Sequence, residues 1–307
     1  GPIVRAKDFL PQLKKNPSIS KLEWNEAMYL ILKGFIKKAI IADYIAQYAD
    51  NVFSMPMAFS GSEHILGSIC YTLQIFCDFS GYTDMAIGIA LLLGYRLEIN
   101  FNSPYKSVNI TDFWRRWHIS LSSWLKDYLY ISMGGNRKGL PLQLLFLFLT
   151  MLIGGLWHGA DWKFVFWGAA HGLLLILHKL WIKHFNDRFN HQVFHVFSLI
   201  LTFFAVNLLW IPFRANSMED TWIIYQKIAT NGEWENVKNV ITNNPMLGLF
   251  LLFGYAATLL STSWKSGIVQ LFNKQNMVLK ILLFVVVIQL FLQMKSSVVQ
   301  PFIYFQF

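Results

Sequence analysis

Five long apolar runs limit what this chain can fold into more than any other feature of its sequence. A helix needs roughly 17 to 25 mostly apolar residues to cross the hydrocarbon core of a bilayer. The runs, in chain order, are LPLQLLFLFLTMLIGGLW, FVFWGAAHGLLLIL, VFHVFSLILTFFAVNLLWIPF, MLGLFLLFGYAATLLST and MVLKILLFVVVIQLFLQM. They predict five spans in an all-α, polytopic membrane protein. Because Gly, His, Gln or Lys interrupts several runs, these spans should face protein or a water-filled cavity in part, rather than lipid all round.

The composition agrees with a membrane protein and argues against nucleic-acid binding. The 307 residues are 55% hydrophobic and 14% charged, whereas a soluble domain is about 25% charged. The net charge of +9 comes from basic residues that lie between apolar runs instead of forming one stripe, which favours positive-inside topology. Membrane lipid is therefore a predicted partner and nucleic acid is not. On one helix Cys70 and Cys77 would lie about 10 Å apart, beyond the disulfide limit of about 7 Å, so no disulfide is expected.

Polar and charged residues divide the N-terminal part of the chain into segments. Residues 1–25 are polar and basic and are interpreted as a membrane-surface segment. Residues 26–49 read as an interfacial or tilted helix, in which Lys33 and Lys37 share a face at i,i+4.

A longer apolar stretch, residues 65–95, contains two carboxylates. Asp78 and Asp84 would lie at membrane depth if the whole stretch inserted, and intramembrane carboxylates usually face a bundle interior because they are costly in lipid. Residues 96–139 turn polar and are interpreted as a motif region on the cytoplasmic side. No internal repeat is visible, so residues 1–307 are interpreted as one integrated membrane domain.

The stretch DFWRRWHI, residues 112–119, concentrates Trp, Arg and His in an otherwise apolar chain. With Thr111 or Asp112 as N-cap, it predicts one helix that continues past Trp124. At 100° per residue the helix has an apolar face and a polar stripe beside it, which are Trp114, Trp117, Leu121, Trp124 and Leu125, and Thr111, Arg115, His118 and Ser122. One interpretation is an interfacial helix whose tryptophans and arginines meet lipid headgroups. The alternative is a reaction centre, which requires a second histidine.

The stretch GGLWHGADW, residues 154–162, supplies that histidine. His158 ends an apolar run between glycines, so the helix is expected to break around it and backbone can approach it closely. A histidine at membrane depth is costly unless it is used or well satisfied. His171 and His178, at i,i+7 on the next span, are interpreted as packing or hydrogen-bonding residues. The eight histidines show no zinc-ligand spacing, so no metal site is predicted, and neither GxSxG nor a Walker sequence is present.

Four stretches together carry a resemblance to a known family. They are NITDFWRRWHISLSSWLKDYLYISMGGNRKG, GGLWHGADWKFVFWGAAHG, WIPFRA and the terminal FIYFQF. The chain resembles the bacterial membrane-bound O-acyltransferases, particularly the alginate O-acetyltransferase branch. Its opening GPIVRAKDFLPQL is similar to the middle of such proteins, so further N-terminal spans are expected to precede it. Cys77 departs from the family pattern, which has a larger aromatic residue there, and the departure is expected to affect packing rather than chemistry.

The resemblance implies a multi-helix funnel through the membrane with a central tunnel and two catalytic histidines. These are His158, as the base that takes a hydroxyl proton, and His118, towards the cytoplasmic mouth. Histidine suits this work because its ordinary pKa lies near 6.5. Four cations are candidates to hold the anionic part of the donor, or equally to bind lipid headgroups, namely Arg115, Arg116, Arg137 and Lys138. Four residues could line the tunnel or form a structural network, namely Asp78, Ser80, Tyr82 and Asp84.

The predicted function is an O-acyltransferase in the inner membrane of a bacterium, with no bound cofactor. It would move an acetyl group from acetyl-CoA, or from an acyl-carrier thioester, to hydroxyls of an alginate-like extracytoplasmic polysaccharide, with a partner protein on that side. D-alanyl transfer to teichoic acid by the same superfamily is the first alternative. A transporter or channel is the second, since intramembrane Asp and His also mark ion pathways. An inactive subunit that recruits a partner is the third.

Overall fold

The computed structural model describes residues 2–14, 19–185 and 192–294. Over these residues the protein is built from helices joined by short turns, without a β-strand. The α-helices are α1 (Ala6–Leu13), α2 (Lys21–Phe35), α3 (Asp43–Ser54), α4 (Gly61–Leu92), α5 (Ile110–Arg116), α6 (Ile119–Leu125), α7 (Leu140–His158), α8 (Trp162–Phe185), α9 (Gln192–Arg214), α10 (Met218–Thr230), α11 (Trp234–Asn243), α12 (Pro245–Leu259), α13 (Thr262–Lys274) and α14 (Met277–Met294). Two π-helical segments, Ile36–Ala42 and Lys126–Tyr130, and a 3₁₀ turn, Pro104–Lys106, complete the list. The all-α prediction is confirmed, and the terminal FIYFQF lies outside the described residues.

Five of these helices are long and apolar enough to cross a bilayer, as predicted, but they are not the same five. Four match predicted runs, namely α7, α8, the Phe194–Arg214 part of α9, and α14. The fifth is α4, which has 32 residues. The predicted run 246–262 instead forms α12, a helix of 15 residues that meets α11 at a bend of 97°. Proline at position 245 starts this helix afresh, so α11 and α12 together make at most one broken span.

The chain forms two compact units. Of the described residues, the first contains 2–14, 19–47, 73–100 and 246–294, and the second contains 48–72, 101–185 and 192–245. In sequence, α4 contributes its first twelve residues to the second unit and the remainder to the first.

Lysine–aspartate pairs connect α2, the first π-helical segment and α4 within the first unit. Lys33 and Lys37 both bind the Asp84 carboxylate, at 3.0 and 2.7 Å, so the predicted shared face is confirmed. Lys38 binds Asp78 at 2.6 Å and Asp43 at 2.7 Å. Lys37 and Lys38, adjacent in the π-helical segment, thus reach two different aspartates of α4. The paired carboxylates agree with the structural-network alternative, and Ser80 joins it by accepting a hydrogen bond from Lys37 Nζ at 3.1 Å.

Glycines let the same helices approach closely enough for these pairs to form. A Cβ on Gly34 would lie 2.5 Å from the carbonyl oxygen of Gly81, and one on Gly81 would lie 2.7 Å from that of Gly34. Small residues at such crossings are typical of helix packing in membranes.

The second unit contains α7 and α8, an antiparallel pair with a short connection, and α9, which packs against α8. A Cβ on Gly168 of α8 would lie 2.5 Å from the Met151 carbonyl oxygen and 3.1 Å from the Gly155 Cα of α7. With Gly172, Gly168 forms a GxxxG spacing that permits this approach. The short helices α5 and α6 complete this unit around the DFWRRWHI stretch, since α5 packs against α8 and the Leu125 side chain of α6 lies against Gly154.

Candidate active site

The predicted helix through DFWRRWHI is broken at its histidine. Asn109, not Thr111 or Asp112, is the N-cap, because its side chain accepts a hydrogen bond from the Asp112 N–H at 2.7 Å. Helix α5 ends at Arg116, Trp117 is extended, and His118 adopts the left-handed conformation with φ 42° and ψ 57°. The prediction of one continuous helix was therefore wrong. A polar stripe at 100° per residue cannot continue across such a break.

The conformation of His118 costs free energy, because a side chain with a Cβ is strained at positive φ. Strain of this kind collects at functional sites, where the surrounding structure holds it in place. Burial supports this view, since only 4% of His118 is exposed. Burial, followed by the electrostatic influence of His158, lowers the pKa of the His118 imidazole to about 3. His118 is therefore neutral near pH 7, and it lies close enough to His158 for a charge on that ring to affect the pKa of His118.

His158 is the last residue of α7, and the helix ends there as predicted. Gly159 follows with φ 159°, where a Cβ would lie 2.6 Å from the ring of Phe164. A larger residue at position 159 would therefore have to displace the Phe164 ring. His158 is 8% exposed, and its ring lies 5.0 Å from that of Phe213 and 5.2 Å from that of Trp167.

Aromatic side chains from three helices surround both histidine motifs. Trp117, which follows α5, stacks on Phe113 at 5.6 Å and lies 5.0 Å from Trp210 of α9. Trp210 in turn lies 5.9 Å from Trp167 of α8. Trp117 is 2% exposed, so the interfacial interpretation fails for this tryptophan, although Trp124 is partly exposed as that interpretation requires. The arrangement buries His118 and His158 next to aromatic rings.

The other two predicted histidines form hydrogen bonds, as expected. The Trp114 indole N–H donates to His171 Nδ1 at 3.3 Å, and Thr111 Oγ1 and His178 Nδ1 are 2.8 Å apart. His171 is completely buried.

The four candidate cations have different surroundings. Arg116 forms an ion pair with Asp112 at 2.8 Å, which leaves it less available to a ligand. Arg137 donates to the carbonyl oxygens of Ile131 and Gly134 at 3.3 and 3.5 Å, yet it remains exposed. Arg115 and Lys138 are also exposed. Donor binding by these cations stays a prediction.

The sequence alone did not predict the aromatic surroundings of the histidines. Trp167, Trp210 and Phe213 lie inside apolar runs, where aromatic residues are ordinary components of a span. The one usable signal was the WIPFRA motif, since it contains Trp210 and Phe213. Within the described ranges no group of three His, Cys, Asp or Glu side chains could hold a metal ion.

These features define an all-α, multi-pass membrane protein with two buried histidines in an aromatic environment. Histidine in such surroundings suits proton transfer to or from a bound substrate. The chain belongs to the membrane-bound O-acyltransferase family, whose sequence profile matches residues 1–219.

Curated relatives refine this assignment. A probable alginate O-acetylase, AlgI, of Pseudomonas aeruginosa is 42% identical over 236 residues, which cover 76% of this chain and 44% of that protein. A peptidoglycan O-acetyltransferase of Helicobacter pylori is 42% identical over 235 residues, with the same coverage of both chains. A teichoic acid D-alanyltransferase of Bacillus subtilis is 29% identical and is matched over 67% of this chain and 55% of its own. The chain thus spans about half the length of the curated relatives it matches.

Proposed function

We propose that this chain is part of an O-acetyltransferase of the bacterial inner membrane. The enzyme transfers an acetyl group from a cytoplasmic thioester, acetyl-CoA, to hydroxyl groups of an extracytoplasmic polysaccharide. The observation that carries the proposal is that both motif histidines, His118 and His158, are buried where the connected rings of Trp117, Trp210 and Trp167 lie. Two relatives named as O-acetylating enzymes, each 42% identical, support acetyl as the group transferred.

In this mechanism His158 accepts the proton of the acceptor hydroxyl. The hydroxyl oxygen forms a bond to the thioester carbonyl carbon, the carbon–sulfur bond breaks, and the departing thiolate receives the proton from His158. The overall reaction consumes and releases no proton. Neutral His118 near His158 fits a second catalytic histidine, because a cation at position 118 would disfavour protonation of the base.

The donor would reach the histidines from the side that carries the exposed cations Arg115, Arg137 and Lys138. Arginine and lysine suit the phosphates of acetyl-CoA, and arginine also binds phosphate in a bidentate manner. Beyond the membrane, a partner protein that presents the polysaccharide would complete the reaction.

Acetyl transfer from radiolabelled acetyl-CoA, by membranes containing the full-length protein, tests this proposal. We expect the parent to label polysaccharide or a partner protein. His158→Ala should lose the activity at matched expression, whereas His184→Gln should retain it because His184 is exposed on α8. Full activity of His158→Ala would refute the role of His158. Transfer from a D-alanyl carrier protein, but not from acetyl-CoA, would replace acetyl by D-alanyl as the transferred group.

A further inference from the structure

His171 has a protonation state that its hydrogen bond fixes. An indole N–H donates and cannot accept, so the nitrogen that accepts from Trp114, Nδ1, carries a lone pair. A charged imidazole has a proton on both nitrogens and could not accept this bond. The ring of His171 is therefore neutral, and its single ring proton lies on Nε2.

This Nε2–H is a donor with no acceptor. His171 is completely buried, and its Nε2 has no hydrogen-bond partner within the described parts of the chain. Buried donors are nearly always satisfied, because an unsatisfied donor loses its bonds to water without replacing them. A donor of this kind needs an acceptor from outside the described residues, and a bound substrate can supply one.

The same tryptophan, Trp167, contacts the ring of the donor and the ring of the proposed base. The ring of Trp167 lies 4.7 Å from that of His171 and 5.2 Å from that of His158, centroid to centroid. The two imidazole centroids can therefore be separated by no more than the sum of these distances. In the reaction, the hydroxyl that His158 holds and the acyl oxygen that His171 would hold are only a few bonds apart. Two imidazoles within this upper limit of distance can reach both groups.

We infer that the Nε2–H of His171 donates a hydrogen bond to the acyl oxygen of the bound acetyl thioester. The inference rests on the proposed function and deepens it by naming a third residue that touches the substrate. Negative charge develops on the acyl oxygen as the hydroxyl attacks, and a fixed donor stabilises that charge without reorganisation. His171 keeps its proton throughout, while the hydroxyl proton passes to His158 and then to the thiolate.

Two aromatic contacts hold the ring in position for this task. Phe113 stacks on the His171 imidazole with an interplanar angle of 9°, and Trp114 packs edge-on against it at 5.1 Å. Together with the indole hydrogen bond, they fix both the plane and the tautomer of the ring.

Isotope-edited infrared spectroscopy of the full-length protein with [1-¹³C]acetyl-CoA tests the hydrogen bond directly. The bound carbonyl should absorb at lower frequency than free acetyl-CoA in the parent and in His158→Ala, since His158 does not contact this oxygen. His171→Phe, which keeps an aromatic ring without a donor, should abolish the shift, and His171→Gln should keep part of it. We expect kcat of His171→Phe to fall by about 10²–10³-fold, as for other lost oxyanion donors, with KM little changed.

The outcomes separate this inference from the proposed function. If the parent binds no acetyl-CoA and transfers no acetyl group, both fail. If the parent binds and transfers, but His171→Phe keeps the carbonyl shift and kcat of the parent, only the role of His171 is overturned. Should His171→Phe not fold, His171→Leu decides, because leucine likewise has no hydrogen-bond donor. A carbonyl shift and kcat unchanged in His171→Leu would contradict the inference, and His184→Gln serves as the control on the same helix.

Discussion

The close approach of α7 and α8 predicts that Gly168→Ala damages the protein through a single methyl group. The new Cβ would lie 2.5 Å from the Met151 carbonyl oxygen, whereas ordinary contacts begin at 3.4 Å. The two helices therefore have to separate by about 1 Å, since a carbonyl inside a helix cannot retreat alone. Overpacking of this kind lowers the free energy of unfolding by about 1–3 kcal/mol. The better helix propensity of alanine offsets up to about 1 kcal/mol of this loss. We expect a net loss of about 1–2 kcal/mol.

The rate of acetyl transfer by Gly168→Ala should fall more than its loss of folding stability alone explains. Gly168 follows Trp167 directly and lies three residues before His171, so helix separation displaces both rings relative to His158. A misplacement of about 1 Å can cost about 10²-fold in rate. The measurements are thermal unfolding of the purified protein in detergent and the acetyl-transfer assay with labelled acetyl-CoA.

Gly267→Ala is the matched control for this substitution. Gly267 also lies within a helix, α13, but a Cβ there would meet nothing within 4 Å. This variant should be as stable as the parent or up to about 1 kcal/mol more stable, with unchanged activity. If Gly168→Ala behaved like Gly267→Ala in both assays, the close packing of α7 and α8 would not be what positions the histidines.

Two further substitutions test buried features of the structure. Lys38→Met leaves the Asp78 carboxylate, only 3% exposed, without its lysine, and should lower the free energy of unfolding by about 3–5 kcal/mol. Lys38→Met combined with Asp78→Leu should recover part of this loss in denaturant titrations, because Asp43 still lacks its lysine, and a double variant no more stable than the single one would contradict the reasoning. His118→Asn should have a melting temperature near that of the parent, because asparagine tolerates positive φ, whereas His118→Val should lose about 1–3 kcal/mol more of the free energy of unfolding. Equal melting temperatures of the two variants would show that the left-handed conformation is not strained.

Hydropathy predicted the fold class and most of the spans, but it did not predict that α4 is long and apolar enough to cross a bilayer. Its carboxylates, Asp78 and Asp84, left open whether the stretch entered the membrane. Their lysine partners come from a segment some forty residues earlier. A window that averages hydropathy along the chain cannot include such pairing. For the 246–262 run the error was the reverse, since the apolar count was high but Pro245 starts a new helix at a sharp angle.

For the site, the sequence predicted the two histidine motifs and the helix end at His158, but not what joins them. The break at His118 depends on a left-handed backbone conformation, which a histidine adopts only when tertiary contacts impose it. The interaction with His158 and the shared contacts of Trp167 depend on how α5, α7 and α8 pack, which spacing along the chain does not determine. The hydrogen bond from Trp114 to His171 likewise depends on how α5 packs against α8.

The lysine–aspartate pairs of the first unit also constrain how the protein enters the membrane. A lone Lys or Asp at the centre of a span costs about 2.5–3.5 kcal/mol to insert. Lys33, Lys37 and Lys38 precede α4 in the chain, so they leave the ribosome before Asp78 and Asp84 are available to pair with them. Insertion of α4 without them would expose two unpaired carboxylates to lipid. The lysines are therefore already synthesised, on the segment that packs beside α4, when the carboxylates of α4 need partners.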